Sequence, residues 1–262
     1  TTCYLDETLH ALEDMFTKRN LQSIKYLRSL KTVFMHRPYR KMPETGLSMA
    51  YLFGLTKGDT DDQAEFNSYC YEAGINPRDA IEEMRNFTPD LKKIANPSDL
   101  NKDAYPLAMN IFRVFRASRH YRREILDKMA LGSDTMLDLG NLYTAALPAW
   151  IAAGFEQALQ ENISLENSEI LTFGYGSGDA AEVIPMTVNS NWRSAAKNIS
   201  FSDSMTFTID LNKEQYLNLH EGKSSKDLEY KYNDEFIIDS VGNTLKNNFQ
   251  DMGIEYHRYI GK

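Results

Sequence analysis

The chain has 262 residues, 42 % of them hydrophobic and 25 % charged, which are ordinary values for a water-soluble globular protein. Aromatic residues at 11 % supply enough bulk for a core without a disulfide or metal staple. The formal net charge of -8 argues against general nucleic-acid binding, because that needs a positive field to displace counterions from phosphates.

In chain order, Leu5, Leu9, Leu12 and Phe16 recur at helical spacing with acidic residues between them, which predicts an amphipathic first helix. Leu27 to Met35 ends in the buried-strand run Thr32-Val33-Phe34-Met35, and Pro38 stops it, so His36 falls at a strand's end. Behind Pro43, the apolar stretch Gly46 to Leu55 reads as a helix. Residues 58–103 are acidic and broken by Pro77, Pro89 and Pro97, and read as outlying helices joined by turns. Asn110 to Met129 reads as one arginine-rich helix. Asp138 to Asn141 is a turn leading into a helix that runs to about Leu159. Ile170 to Tyr175 is a strand that Gly176-Ser177-Gly178 breaks. Met205 to Ile209 reads as a strand, Lys213 to Leu219 as a short helix, Tyr230 to Ser240 as containing a strand, and Ile254 to Ile260 as the last strand. Strands alternating with helices imply an α/β layered fold around a buried sheet.

No apolar run approaches the roughly 20 residues that cross a bilayer. The most apolar stretch, Ala145 to Phe155, is interrupted by Pro148 and followed by Glu156. No signal peptide is expected, although a helical pattern almost at Thr1 is an odd start for a natural protein. Cys3 and Cys70 lie far apart in no metal-like spacing, so a reduced, cytoplasmic protein is expected. Cys3 is terminal and Cys70 lies between two tyrosines, and neither is expected to be a nucleophile. His10, His220 and His257 have no partners at ligand spacing, so no metal site is expected.

Three segments place polar groups at the end of an apolar element, where α/β sheets gather their ligands. The first is Val33 to Met42. A histidine held at a strand's end can act as a general acid or base at neutral pH, and Arg37, Arg40 and Lys41 form a positive rim suited to phosphate. The alternative is a satisfied histidine beside a solvated basic turn. The second is Gly140 to Trp150, where the Asn141 amide can hold a carbonyl oxygen or simply cap a helix. The third is Phe173 to Ala181, whose glycines free backbone N–H groups for a ligand or merely make a tight turn. Ser177 lacks the glycine spacing of a hydrolase elbow. Arg113, Arg116, Arg119, Arg122 and Arg123 either receive the phosphates of a coenzyme, or an acidic carrier domain as partner, or form a solvated helix face.

Together the three segments resemble the hydroxymethylglutaryl-CoA synthase family, through His36-Arg37-Pro38-Tyr39-Arg40-Lys41-Met42, Gly140-Asn141-Leu142-Tyr143-Thr144 and Tyr175-Gly176-Ser177-Gly178, in the family's order. The likeness spans nearly the whole chain, 1–262, but only the carboxyl-terminal half of a family member. It implies half of a thiolase-like layered fold, with a peripheral helical insertion at roughly 56–130. It implies condensation of acetyl-CoA with acetoacetyl-CoA to 3-hydroxy-3-methylglutaryl-CoA, a mevalonate-pathway role, no cofactor beyond coenzyme A thioester substrates, and a homodimer of the complete enzyme. By the same resemblance His36 and Asn141 are catalytic, and Lys41, Tyr143, Ser177 and Gly178 face the substrate. No segment resembles the family's cysteine motif, and its glutamate should also lie upstream. A missing amino-terminal half would supply both, and this chain alone is expected to be inactive. Two alternatives are a non-catalytic acyl-CoA-binding homologue and a polyketide β-branching synthase acting on a carrier-protein-bound substrate.

Overall fold

A computed structural model describes residues 2–86, 105–176, 178, 180–206, 208–223, 228, 233–246 and 248–261. They form two compact units, Thr1–Thr206 and Phe207–Lys262.

In the first unit, helix α1 (Thr2–Lys18) buries the stripe of Leu5, Leu9, Leu12 and Phe16, as its 3.6-residue period requires. A short helix, α2 (Ser23–Ser29), precedes strand β1 (Thr32–Met35), which is buried along its whole length. β1 pairs in parallel with β2 (Glu169–Gly176), setting Met35 opposite Phe173. β2 pairs antiparallel with β3 (Ala180–Thr187), so the sheet order is β1-β2-β3. On one face Tyr4 of α1 meets Phe173 and Tyr175 edge-on, at ring distances of 5.5 and 5.2 Å. On the other face, Phe34 meets Trp150 of the long helix α8 (Ala146–Gln160) at 5.9 Å. Gly154 is required there: a Cβ would lie 2.6 Å from Phe34 Cε1. The turn at Gly132, with φ +68°, approaches so closely that a Cβ would lie 2.4 Å from the Gly154 nitrogen. The result is a sheet between helical layers.

Between β1 and α8, helices α3 (Lys41–Thr56), α4 (Thr60–Glu72), α5 (Pro77–Asn86), α6 (Pro106–Phe115) and α7 (Arg119–Tyr121) pack together through Leu52, Phe66, Cys70, Ile111 and Phe115. Their polar groups are matched. Arg28 bonds Asp62 and Glu65, and Glu65 also accepts from the Tyr51 and Tyr69 hydroxyls. The Glu83 carboxylate accepts the Leu107 and Ala108 N–H groups at the start of α6. From the interior of α8, Glu156 does the same for Phe201 and Ser202 at the start of α10 (Phe201–Ser204). The short α9 (Trp192–Ala196) lies between them in sequence and sets Trp192 edge-on to Phe155 at 5.9 Å.

The second unit holds α11 (Lys213–His220), closed by a capping box between Asn212 and Gln215. Strands β4 (Glu235–Val241) and β7 (Glu255–Ile260) pair antiparallel, and β5 (Leu245–Lys246) and β6 (Phe249–Gln250) form a small second pair. Asp251 ties the latter together, accepting from the Thr244 N–H at 2.6 Å and the Tyr256 hydroxyl at 3.0 Å.

Several expectations change. Met205 to Ile209 is not a strand among the described residues. Glu156 nucleates helix at Phe201, and the Thr206 hydroxyl closes it on the Asp203 carbonyl. The helix expected over Asn110 to Met129 breaks after Phe115. Ser118 caps a new turn, which continues as a π-helix over Arg122–Leu126 and a 3-10 turn over Asp127–Met129. Helix α3 starts at Lys41, because proline is tolerated in a first turn. α2 and β3 were not expected. The segments around Pro89 and Pro97 lie outside the described residues.

Candidate functional site

His36 follows β1 directly, at the carboxyl end of two parallel strands. Its backbone is clamped twice: its N–H donates to the Phe173 carbonyl at 2.7 Å, and its carbonyl accepts from the Tyr4 hydroxyl at 3.1 Å. Its ring is half-buried and lies 6.1 Å from that of Tyr175. Burial lowers its pKa from the ordinary 6.5, so the imidazole is neutral at pH 7. A neutral imidazole can donate from one nitrogen to a substrate oxygen while the other accepts.

The glycine turn is brought to the same end of the sheet. β2 ends at Gly176, two residues beyond the His36 partner strand's Gly174, and Gly178 stands at φ +86°, where only glycine is unstrained. No heavy atom lies within 4 Å of where a Gly178 Cβ would be, leaving open space beside the turn. Ser177 lies outside the described residues.

Asn141 is not a helix cap, as one of its sequence readings had it. A 3-10 turn, Tyr143–Ala145, separates it from α8. Its Oδ1 accepts the Tyr143 N–H at 2.9 Å, which fixes Tyr143 at φ +49° with its ring 72 % exposed. Among the described residues the Asn141 amide nitrogen has no hydrogen-bond acceptor. Trp150, in the amino-terminal half of α8, lies under Arg37 just past β1, so the loop carrying Asn141 leads into the helix end nearest the strand termini. Lys41 is exposed at the first position of α3.

Other candidates resolve differently. Arg37 does not join a surface rim: it is 7 % exposed and lies over the Trp150 ring at 4.9 Å. The arginine run is largely engaged with its own surroundings. Arg123 bonds the buried Glu124 at 2.5 Å, Arg116 lies over Phe112, and Arg122 is 4.0 Å from Asp127. Cys70 is fully buried, and burial pushes its thiol up to about 12, which suits packing and not nucleophilic attack. His10 does have carboxylate neighbours, contrary to its sequence reading: Asp6, Glu7 and His10 present ligand-type atoms within 4.8 Å of one another on one turn of α1. Helical i, i+3 and i, i+4 spacing alone brings such side chains together. No helix among the described residues is long and apolar enough to cross a membrane.

The first unit has an α/β fold, a three-stranded sheet packed with helices. A solved structure described as "MvaS in complex with 3-hydroxy-3-methylglutaryl coenzyme A" superposes with a TM-score of 0.59 at 16 % identity, over 98 % of this chain and 50 % of that one. The chain therefore spans about half the length of that relative. Residues 117–221 match the family described as hydroxymethylglutaryl-coenzyme A synthase C terminal. The family match covers less than half of the chain, and at 16 % identity the structural likeness is one of fold. The matched stretch contains Asn141, Tyr143, Ser177 and Gly178; His36 and Lys41 lie before it. No curated protein matches the chain in sequence.

Proposed function

We propose that this chain is the carboxyl-terminal half of a hydroxymethylglutaryl-CoA synthase, and that another half supplies the cysteine nucleophile and the glutamate acid/base. In this reading an acetyl group moves from CoA to that cysteine, and CoA leaves. The glutamate removes a methyl proton, and the resulting carbanion adds to the ketone carbon of acetoacetyl-CoA. Negative charge then grows on the ketone oxygen. His36 donates to that oxygen, and water frees 3-hydroxy-3-methylglutaryl-CoA from the cysteine. The Asn141 amide orients an acyl carbonyl. Lys41, Tyr143, Ser177 and Gly178 line the path of the thioester. The complete enzyme pairs as a homodimer in the cytoplasm and feeds the mevalonate pathway. The chain alone does not turn over.

The observation that carries this reading is His36 itself: a half-buried, neutral imidazole, clamped at backbone level beside an open glycine turn. A donor aimed at developing oxyanion charge is worth about 2.7–4 kcal/mol of transition-state stabilisation. Mixing the chain with a polypeptide bearing the cysteine and glutamate should restore CoA release from the two thioesters. His36→Ala in that mixture should lower kcat about 10²–10³-fold while leaving complex formation intact. A folded, soluble chain that binds CoA thioesters but stays inert with every such partner is a binding protein, and the enzyme reading falls.

A further inference from the structure

The His36 ring has no hydrogen-bond partner among the described residues, so its direction is set by its backbone and by the Tyr175 ring beside it. The β1–β2 register ends at Met35 opposite Phe173. The His36 N–H still reaches the Phe173 carbonyl, but the His36 carbonyl lies past the last paired position and accepts from the Tyr4 hydroxyl at 3.1 Å. A side chain of α1 thus takes the place of the next rung of the ladder. Tyr4 is 2 % exposed, and burial raises its pKa well above 10, so the hydroxyl stays a donor wherever His36 titrates. A buried hydroxyl is costly unless it is bonded, and phenylalanine would fill nearly the same volume without that cost.

The Tyr4 ring also touches the other segments of the site. It meets Tyr175 edge-on at 5.2 Å, and Tyr175, just before the glycine turn, lies 6.1 Å from the His36 ring. Gly46 of α3, the helix that begins at Lys41, comes so near that a Cβ would lie 3.2 Å from Tyr4 Cε1. One buried side chain therefore reaches the histidine, the strand that carries the glycine turn and the helix that carries Lys41. We propose that Tyr4 is a positioning residue of the acyl site. Its hydroxyl fixes the peptide after His36 and its ring fixes Tyr175, so the imidazole is held in one orientation toward the substrate oxygen. This rests on the reading of His36 as the donor to the ketone oxygen, and it adds that α1, far from the chemistry in sequence, sets the direction of that donor.

The test is Tyr4→Phe, which keeps the ring and removes only the hydroxyl, compared with Tyr26→Phe, which removes a hydroxyl bonded to Glu169 at the opposite end of β2. In the isolated chain, NMR of labelled histidine should show weaker contacts between the His36 and Tyr175 rings in Tyr4→Phe. The His36 midpoint should move up toward 6.5 as the freed ring gains solvent. Tyr26→Phe should leave both unchanged. In the mixture with the other half, Tyr4→Phe should lower kcat about tenfold or more and keep KM within about twofold. In a His36→Ala background it should have no further effect, because it acts only through that ring. Should Tyr4→Phe fail to fold, Gly46→Ala keeps the hydroxyl and presses on the ring from α3, and it should shift the same His36 signals. His36 signals unmoved in the folded variant, the same changes from Tyr26→Phe, or a kcat loss that adds in full to that of His36→Ala would each reduce Tyr4 to core packing and overturn the proposal. If no partner restores turnover, the enzyme reading falls, and the NMR arm still decides whether Tyr4 orients His36.

Discussion

A half-buried histidine with no carboxylate against it resists protonation, and that has a consequence for stability. His36 titrates below its ordinary 6.5 because burial disfavours the imidazolium. As pH falls through 6.5, the unfolded chain takes up a proton that the folded chain does not. The unfolded state then binds more protons, so stability rises with pH across this window and is lost on acidification below 6.5. Above 6.5 both states are neutral and the term vanishes. His36→Gln should therefore narrow the difference between urea midpoints measured near pH 7.5 and pH 5.5, without changing the value at about pH 7.5 by much. An NMR titration of His36 with a midpoint at or above 6.5 would contradict burial as the dominant influence on the ring. His36 was legible in the sequence because an apolar run and Pro38 bracket it. The inward turn of Arg37 was not. Strand alternation ends at Met35, and the course of the Arg37 side chain depends on Trp150, more than a hundred residues later in the chain.

At the scale of elements, two contacts hold layers together and can be broken singly. Lys128, 8 % exposed, donates to the Arg28 carbonyl at 2.9 Å at the end of α2 and bonds Glu124 at 2.9 Å. It caps a helix carboxyl terminus and neutralises a buried carboxylate at once. Lys128→Met strands Glu124 with only the exposed Arg123 and should cost about 3 kcal/mol in urea unfolding. Adding Glu124→Leu should recover much of that loss, since replacing both partners removes the orphaned charge. If the double variant is no better than the single, the carboxylate is not the source of the cost. Gly154→Ala tests the other contact. Its methyl would press on Phe34 and should destabilise by roughly 1–3 kcal/mol, whereas Ala is otherwise favoured inside a helix. The sequence showed α1 through its helical apolar spacing, and β1 and β2 through their short apolar runs. It hid β3, where Ala180 to Thr187 contains Pro185. Proline is barred from central strands, but β3 is the edge of a three-stranded sheet and Pro185 is accommodated opposite Leu171. α2 was hidden for another reason: seven residues are too few to show a period, and Lys128 closes the helix from far along the chain.

At the scale of the whole molecule, the two units differ in what holds them. The first buries aromatic and aliphatic side chains on both faces of its sheet. In the second, Phe236, Ile238, Tyr256 and Tyr259 on β4 and β7 are each more than 40 % exposed, and neither strand has a further neighbour among the described residues. A two-stranded ribbon is marginal by itself in water, because it has one ladder and no buried face. Native-state hydrogen exchange should therefore show the β1–β2 amides opening only with global unfolding, and the β4–β7 amides opening locally with far smaller free energies. If another half completes the enzyme as proposed, apolar side chains on this ribbon are candidates for what it covers. Exchange across β4–β7 should then slow when that half is added, and exchange across β1–β2 should change little. Equal protection of both sheets in the isolated chain would show that the ribbon needs no cover. Slowing confined to β1–β2 would put the partner on the first unit instead.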